Sequence, residues 1–204
     1  MISINRVNML MVLFIITGIF LNVSVVEATG KHHHHKHHNS TEHLVLKLAG
    51  TGFMYPMEVP GMEDNDNLME AMCFDIDLVD MKNEKIIGTG TDCLSNVDMK
   101  ENGNVQLIGT TFFHLPKGTL ITRGAVTVQP VPEDFKLVGA DGHSYSHITG
   151  AASDEDSIIG GTGKFANSTG RARLSGMVDM SEFTMQEGDP LAFNCLFVVD
   201  VNLN

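Results

Sequence analysis

The pattern that most limits how this chain folds is an apolar–polar alternation with a period of two, dominant from Glu42 onward. In Met72-Cys73-Phe74-Asp75-Ile76-Asp77-Leu78 the large apolar side chains alternate with cysteine and aspartate. Successive side chains of an extended strand point to opposite faces, so this segment reads as a strand with one apolar and one wet face. Residues 43–48, 86–94, 105–115, 120–131, 143–148, 157–165, 170–180 and 191–201 read the same way, and Gly, Asn, Asp or Pro separates most of them. A helical period is confined to a turn or two around residues 66–72. About eight or nine closely spaced strands without intervening helices imply a sandwich or a closed barrel. With 43% hydrophobic residues in a 204-residue chain, one such domain can be filled.

The alternation also fixes a register. A turn centred on Asn83 sets Asp75 opposite Thr91, Asp77 opposite Thr89 and Val79 opposite Ile87. The same register sets Cys73 opposite Cys93, and cross-strand Cβ atoms ~4.5–5.5 Å apart leave a disulfide within reach. Cys195 is then the odd thiol. A bond from Cys195 to either of the others, or three buried thiols, are the alternatives.

Two segments precede this body. Arg6 followed by the apolar run from Met9 to about Leu21, and then Val26-Glu27-Ala28, has the layout of a secretory signal over residues 1–28. The run is interrupted by Thr17 and Gly18 and falls short of the ~20 residues a spanning helix needs, so cleavage and an extracellular protein are expected. Residues 29–41 form a polar tail that cannot bury a core; its histidines His32, His33, His34, His35, His37 and His38 are candidate ligands for Zn²⁺, Cu²⁺ or Ni²⁺. The N-x-[ST] triplets at Asn39 and Asn167 agree with secretion and are candidate glycosylation sites. Residues 42–204 then make a single β domain. The net charge of −12 over the whole chain argues against nucleic acid as a partner, because phosphate backbones are held by clustered Lys and Arg.

Several motifs invite chemistry. Ile158-Ile159-Gly160-Gly161-Thr162-Gly163-Lys164-Phe165 resembles a phosphate loop at first sight, but Phe165 stands where Ser or Thr must follow Gly-Lys, and the next segment alternates as a strand. Its glycines read better as a bulge or tight corner. The acidic run from Glu63 to Asp66 lacks the Gly and late Glu of a calcium loop. No G-x-S-x-G or Cys/His nucleophile context is present, and no cofactor is expected. His143-x-Tyr145-x-His147 places three polar rings on one strand face. If that face turns inward, Asp141, His143 and Tyr145 are candidates for proton transfer or ligand binding; if outward, they are surface groups.

The stretch Gly160-Gly161-Thr162-Gly163-Lys164-Phe165, with Gly170 opening the next strand, is similar to the GGTG-x-F…G signature of plant dirigent proteins and allene oxide cyclases. The Asp141-Gly142 strand opening and the closing strand Phe193-Asn194-Cys195-Leu196-Phe197 resemble the same family, over about 35 residues in all. The resemblance implies an eight-stranded antiparallel, calycin-like β-barrel that encloses a hydrophobic small molecule, often as a homotrimer. It implies steering of radical coupling or cyclisation by orientation, with no redox centre of its own, and it matches Asp141 to a pocket aspartate acting as an acid. Secretion and the sequons point to the dirigent side. A non-catalytic extracellular lipid- or metal-binding protein is the alternative.

Overall fold

The computed structural model describes residues 40–62, 67–132, 142–151 and 156–203. The alternation is realised as ten strands: β1 (Ser40–Phe53), β2 (Tyr55–Pro60), β3 (Leu68–Val79), β4 (Ile86–Met99), β5 (Val105–Leu115), β6 (Gly118–Pro130), β7 (Tyr145–Ala151), β8 (Ile158–Gly161), β9 (Thr169–Asp179) and β10 (Pro190–Leu203). A single 3-10 turn, Gly163–Phe165, is the one helical element among the described residues. Every pairing is antiparallel, in the order β1-β10-β9-β7-β6-β5-β4-β3. β3 then returns to β1 through the pairs Lys47–Val79 and Leu48–Leu78. The sheet therefore rings back on itself through eight strands. β2 extends the line of β1 along β3, and β8 pairs with the first half of β6 while β7 takes the second.

Closure gives each strand an inner and an outer face. Phe74, Ile76 and Leu78 of β3 point inward and join Leu48, Phe113 and Phe197 in one large core. Aromatic edges meet faces there: Phe113 and Phe197 have centroids 5.0 Å apart, and Phe74 and Phe193 5.4 Å. β1 passes very close to β3, where a Cβ on Gly52 would lie 2.9 Å from the Phe74 Cβ. A larger residue at this position would push apart the two strands that complete the ring.

A second, smaller core lies on the outside. Val59, Ala71, Cys73 and Cys93 are buried there with Tyr55, Met57, Met69 and Phe112 against them. Arg123 of β6 clamps this region: its Nη1 donates to the Gly61 carbonyl at 2.8 Å, its Nη2 donates to the Pro60 carbonyl, and its Nε donates to Thr110 Oγ1 at 3.2 Å. The end of β2 is thereby tied to the middle of the sheet. Cys73 and Cys93, opposite one another with Cα atoms 4.0 Å apart, are joined by a disulfide, and Cys195 is a buried free thiol.

Three details differ from the sequence reading. The helical turn expected at 66–72 is strand from Leu68, because Met69 and Ala71 pair with Val59 and Met57 of β2 and cover the outer core. β2 itself escapes the alternation rule because prolines stand at both its second and last positions. The Asn83 hairpin keeps its expected register from Met72 to Leu78, but a bulge then pairs Val79 with Ile86 in place of Ile87.

The disulfide closes a segment with a sequence separation of 20, so its loss should destabilise mainly by freeing the unfolded chain. Replacing Cys73 and Cys93 together by Ala should lower stability in urea by about 2–4 kcal/mol. The far-UV circular dichroism should stay that of a β protein.

Candidate functional site

The inner face is mainly apolar, with Asp92, Thr111, Thr122 and Ser146 as buried polar exceptions, and it is not filled at one end of the ring. There Met54, Met72, Met99, Met180, Phe183 and Phe193 surround a cavity of about 370 Å³, with Leu94, Leu107 and Ile148 at its inner side. Methionine side chains are unbranched and polarizable, so such a wall adapts to an occupant more readily than one built of Val or Ile. One side of the cavity comes from the connection between β9 and β10. Asp189 organises that segment: its Oδ2 accepts from the Thr184 amide at 2.6 Å, the Thr184 hydroxyl at 2.9 Å and the Gln186 amide at 3.0 Å. The amide bonds from Gln186 and Thr184 hold its carboxyl below the usual range. The Met54 amide donates to the Asp189 carbonyl at 3.0 Å, which anchors the segment to the β1–β2 junction.

A second chamber, of about 30 Å³, shares Leu94, Leu107 and Ile148 with the first and is bordered by Asp92, Thr111 and Thr122. That volume holds roughly one water-sized group. Asp92 is 5% exposed, and Thr111 Oγ1 donates to its Oδ1 at 2.6 Å. Among the described residues, Oδ2 has no hydrogen-bonding partner. Burial pushes the Asp92 carboxyl up to about 6, against the smaller opposing effect of the Thr111 hydrogen bond. Burial, followed by the charge of Asp92, pushes the Cys195 thiol up to about 12, so it stays protonated and unreactive. An apolar cavity of this size suits a mainly hydrophobic molecule, while Asp92 borders the small chamber and is not among the residues that line the large one.

No protein-family model matches the chain. No curated protein matches it either.

Asp141 lies outside the described residues, as do Asn39, the tail histidines and the acidic run 63–66. His143 and Tyr145 do not enter the cavity. In the β7 register the inward side chains are Ser146 and Ile148, which leaves His143 exposed and Tyr145 half-buried on the outer face. His143 Nδ1 there pairs with the Asp179 carboxylate, whose upward shift from burial is outweighed by hydrogen bonds from Ser181 and His143. Asn167 is exposed, in the turn after the short helix. Among the described residues no three His, Cys, Asp or Glu side chains gather as metal ligands.

The glycine signature is a corner. Gly161 ends β8, Thr162 Oγ1 accepts from the Thr119 amide at 3.0 Å, and Phe165 inserts into the core. The turn packs so tightly on the β5–β6 hairpin that a Cβ on Gly118, at φ +139°, would lie 2.1 Å from the Thr162 carbonyl oxygen. Gly161 and Gly163 serve the same backbone-to-backbone contact, since a Cβ on them would lie 2.5 Å from the Phe165 carbonyl oxygen and 2.4 Å from that of Lys117, whereas one on Gly160 would meet only the Ile121 side chain at 3.7 Å.

Asp92 was missed in the sequence reading, although the Asn83 register contained it: if Asp75 faces Thr91, then Asp92 faces Phe74 and shares its inner face. The sign of its pH effect follows. A carboxyl with a folded-state pKa raised from 3.8 to about 6 carries no penalty below pH ~4, an increasing one between the two values, and a constant one above them, on the order of 3 kcal/mol. Asp92→Asn should therefore raise the urea midpoint at pH 8 and leave it nearly unchanged at pH 4. An equal effect at both pH values would mean that charge burial is not the cause.

Proposed function

We propose that this chain is a secreted β-barrel of the dirigent and allene oxide cyclase type, which binds a hydrophobic small molecule inside its ring and steers its cyclisation or coupling. The observation that carries this reading is the methionine- and phenylalanine-lined cavity at one end of the closed sheet. The reading also draws on the glycine corner, whose residues resemble that family's signature. Holding a flexible or reactive molecule in one conformer is itself catalytic, because it removes the entropy of finding that conformer. A homo-oligomer, a trimer in that family, belongs to the same reading. Non-catalytic carriage of a lipid is the second reading, favoured by the near absence of polar groups on the cavity wall.

The neutral fluorophore N-phenyl-1-naphthylamine tests the cavity. It should bind with a blue-shifted emission, and Leu107→Trp, which projects bulk into the space, should weaken binding by about tenfold or more. Thr89→Trp, on the exposed outer face, should not change it. No binding, or equal binding by the two variants, would refute the enclosed-ligand reading. Mass spectrometry of molecules that co-purify with the secreted protein would then separate a carrier, which yields the bound molecule unchanged, from a protein that also releases a cyclised or coupled product.

A further inference from the structure

Methionine supplies much of the cavity wall, and its members differ sharply in their access to water. Met54, Met72, Met99, Met180 and Met185 all line the space. Met54 is 2% exposed, whereas Met99 is 66% and Met185 43% exposed. Residues that line a cavity and also meet solvent mark its mouth, while buried ones such as Ile148 and Phe193 form its depth. The two mouth methionines come from different elements: Met99 ends β4, and Met185 lies in the connection between β9 and β10. Met185 sits at φ +66°, a left-handed conformation unfavourable for a residue with a Cβ. Its position rests on the Asp189 carboxylate, which accepts from the amides of Thr184 and Gln186 on either side of it.

A thioether in contact with water is a two-electron reductant. With hydrogen peroxide, the sulfur lone pair attacks one oxygen, and an S–O bond forms as the O–O bond breaks. The departing hydroxide takes the proton of the transferred oxygen and leaves as water. The sulfur is thereby oxidised to the sulfoxide and the peroxide reduced to water. A sulfoxide is a polar acceptor where the thioether was apolar. Inside the cavity it would find no donor. Among the described residues Thr184 is the one polar side chain of the wall, and its hydroxyl already donates to Asp189 at 2.9 Å. Burying the new oxygen unpaired is costly, so it turns to water and takes its part of the apolar mouth with it. The Cys195 thiol does not compete for the oxidant, because it is buried and stays protonated.

We propose that Met99 and Met185 form a peroxide-sensitive mouth: their oxidation to sulfoxides lowers the affinity of the cavity for apolar ligands. The proposal rests on the enclosed-ligand reading above and adds its regulation. Two other exposed methionines make it specific. Met62 follows β2 and Met81 lies in the turn between β3 and β4; neither lines the cavity, so their oxidation should leave binding alone.

The full chain is treated with hydrogen peroxide for increasing times. N-phenyl-1-naphthylamine binding is then titrated, and the sulfoxides are located by mass spectrometry of peptides. Affinity should fall by roughly tenfold as Met99 and Met185 take up oxygen, before Met54 does. Each variant is its own reference, read before and after peroxide. Met62→Leu with Met81→Leu should lose affinity as the wild type does. Met99→Leu with Met185→Leu should keep after peroxide the affinity it had before. If that pair does not fold, or binds the probe too weakly to read, the wild-type time course decides: the loss must track sulfoxide at Met99 and Met185.

Unchanged affinity once Met99 and Met185 are oxidised would overturn the proposal and leave the cavity reading standing. A loss that persists in the Met99→Leu, Met185→Leu protein, or that tracks Met54, Met62 or Met81 instead, would do the same. No binding by the untreated wild type would remove the cavity reading, and the proposal with it.

Discussion

Two residue pairs between β1 and β3, Lys47–Val79 and Leu48–Leu78, convert a long antiparallel sheet into a ring. Without them β1 and the second half of β3, beyond the part that β2 covers, would be open edges with unpaired amides and carbonyls. With them, one face of every strand is removed from water. The consequence is more demanding than a two-layer packing would be: a ring of eight strands has a fixed girth, so its interior must be filled by side chains or left partly empty. Phenylalanines fill its centre. At one end the methionines do not.

The same closure explains why the molecule carries two cores of different kinds. Inward side chains need no help, because the ring itself hides them. The outward apolar group around Cys73, Cys93 and Val59 has no such shelter and needs a cover, which the end of β2 supplies under the hold of Arg123. An arginine suits this task because its planar fork reaches two adjacent carbonyls at once and keeps its charge even when half desolvated. The outer core therefore depends on a polar clamp, whereas the inner one depends on topology.

What the sequence made legible was whatever follows from local period. The strand count was close, and most strand positions and the Asn83 register agree with the structure, because a period-two pattern with one buried face permits little slippage. β2 was hidden by its two prolines, and the end of the 157–165 stretch was read as strand because a 3-10 turn does not announce itself in composition. The site was less legible. Which face of β7 points inward is a property of the closed ring, not of Tyr145 and its neighbours, and so the sequence left both faces open; Ser146 and Ile148 take the inner one and Tyr145 the outer. Asp92 shows the opposite failure: its position was implied by the register, but an aspartate beside a cysteine in a polar-looking Gly-Thr-Asp-Cys stretch is easily taken for the wet side.

Three cysteines threaten a chain that carries a disulfide with scrambling, since a third thiol can attack an existing bridge and exchange with it. Here the wall of the ring stands between them: the Cys73–Cys93 bridge lies on its outer surface, and the Cys195 sulfur lies on its inner one, protonated and out of reach. Before the ring closes, all three pairings compete. Once it has closed, exchange requires unfolding, so the sheet acts as a partition that makes the native bond final. Correct oxidation then depends on when β10 docks between β1 and β9, and the last strand in the sequence guards a bond formed between two of the earliest.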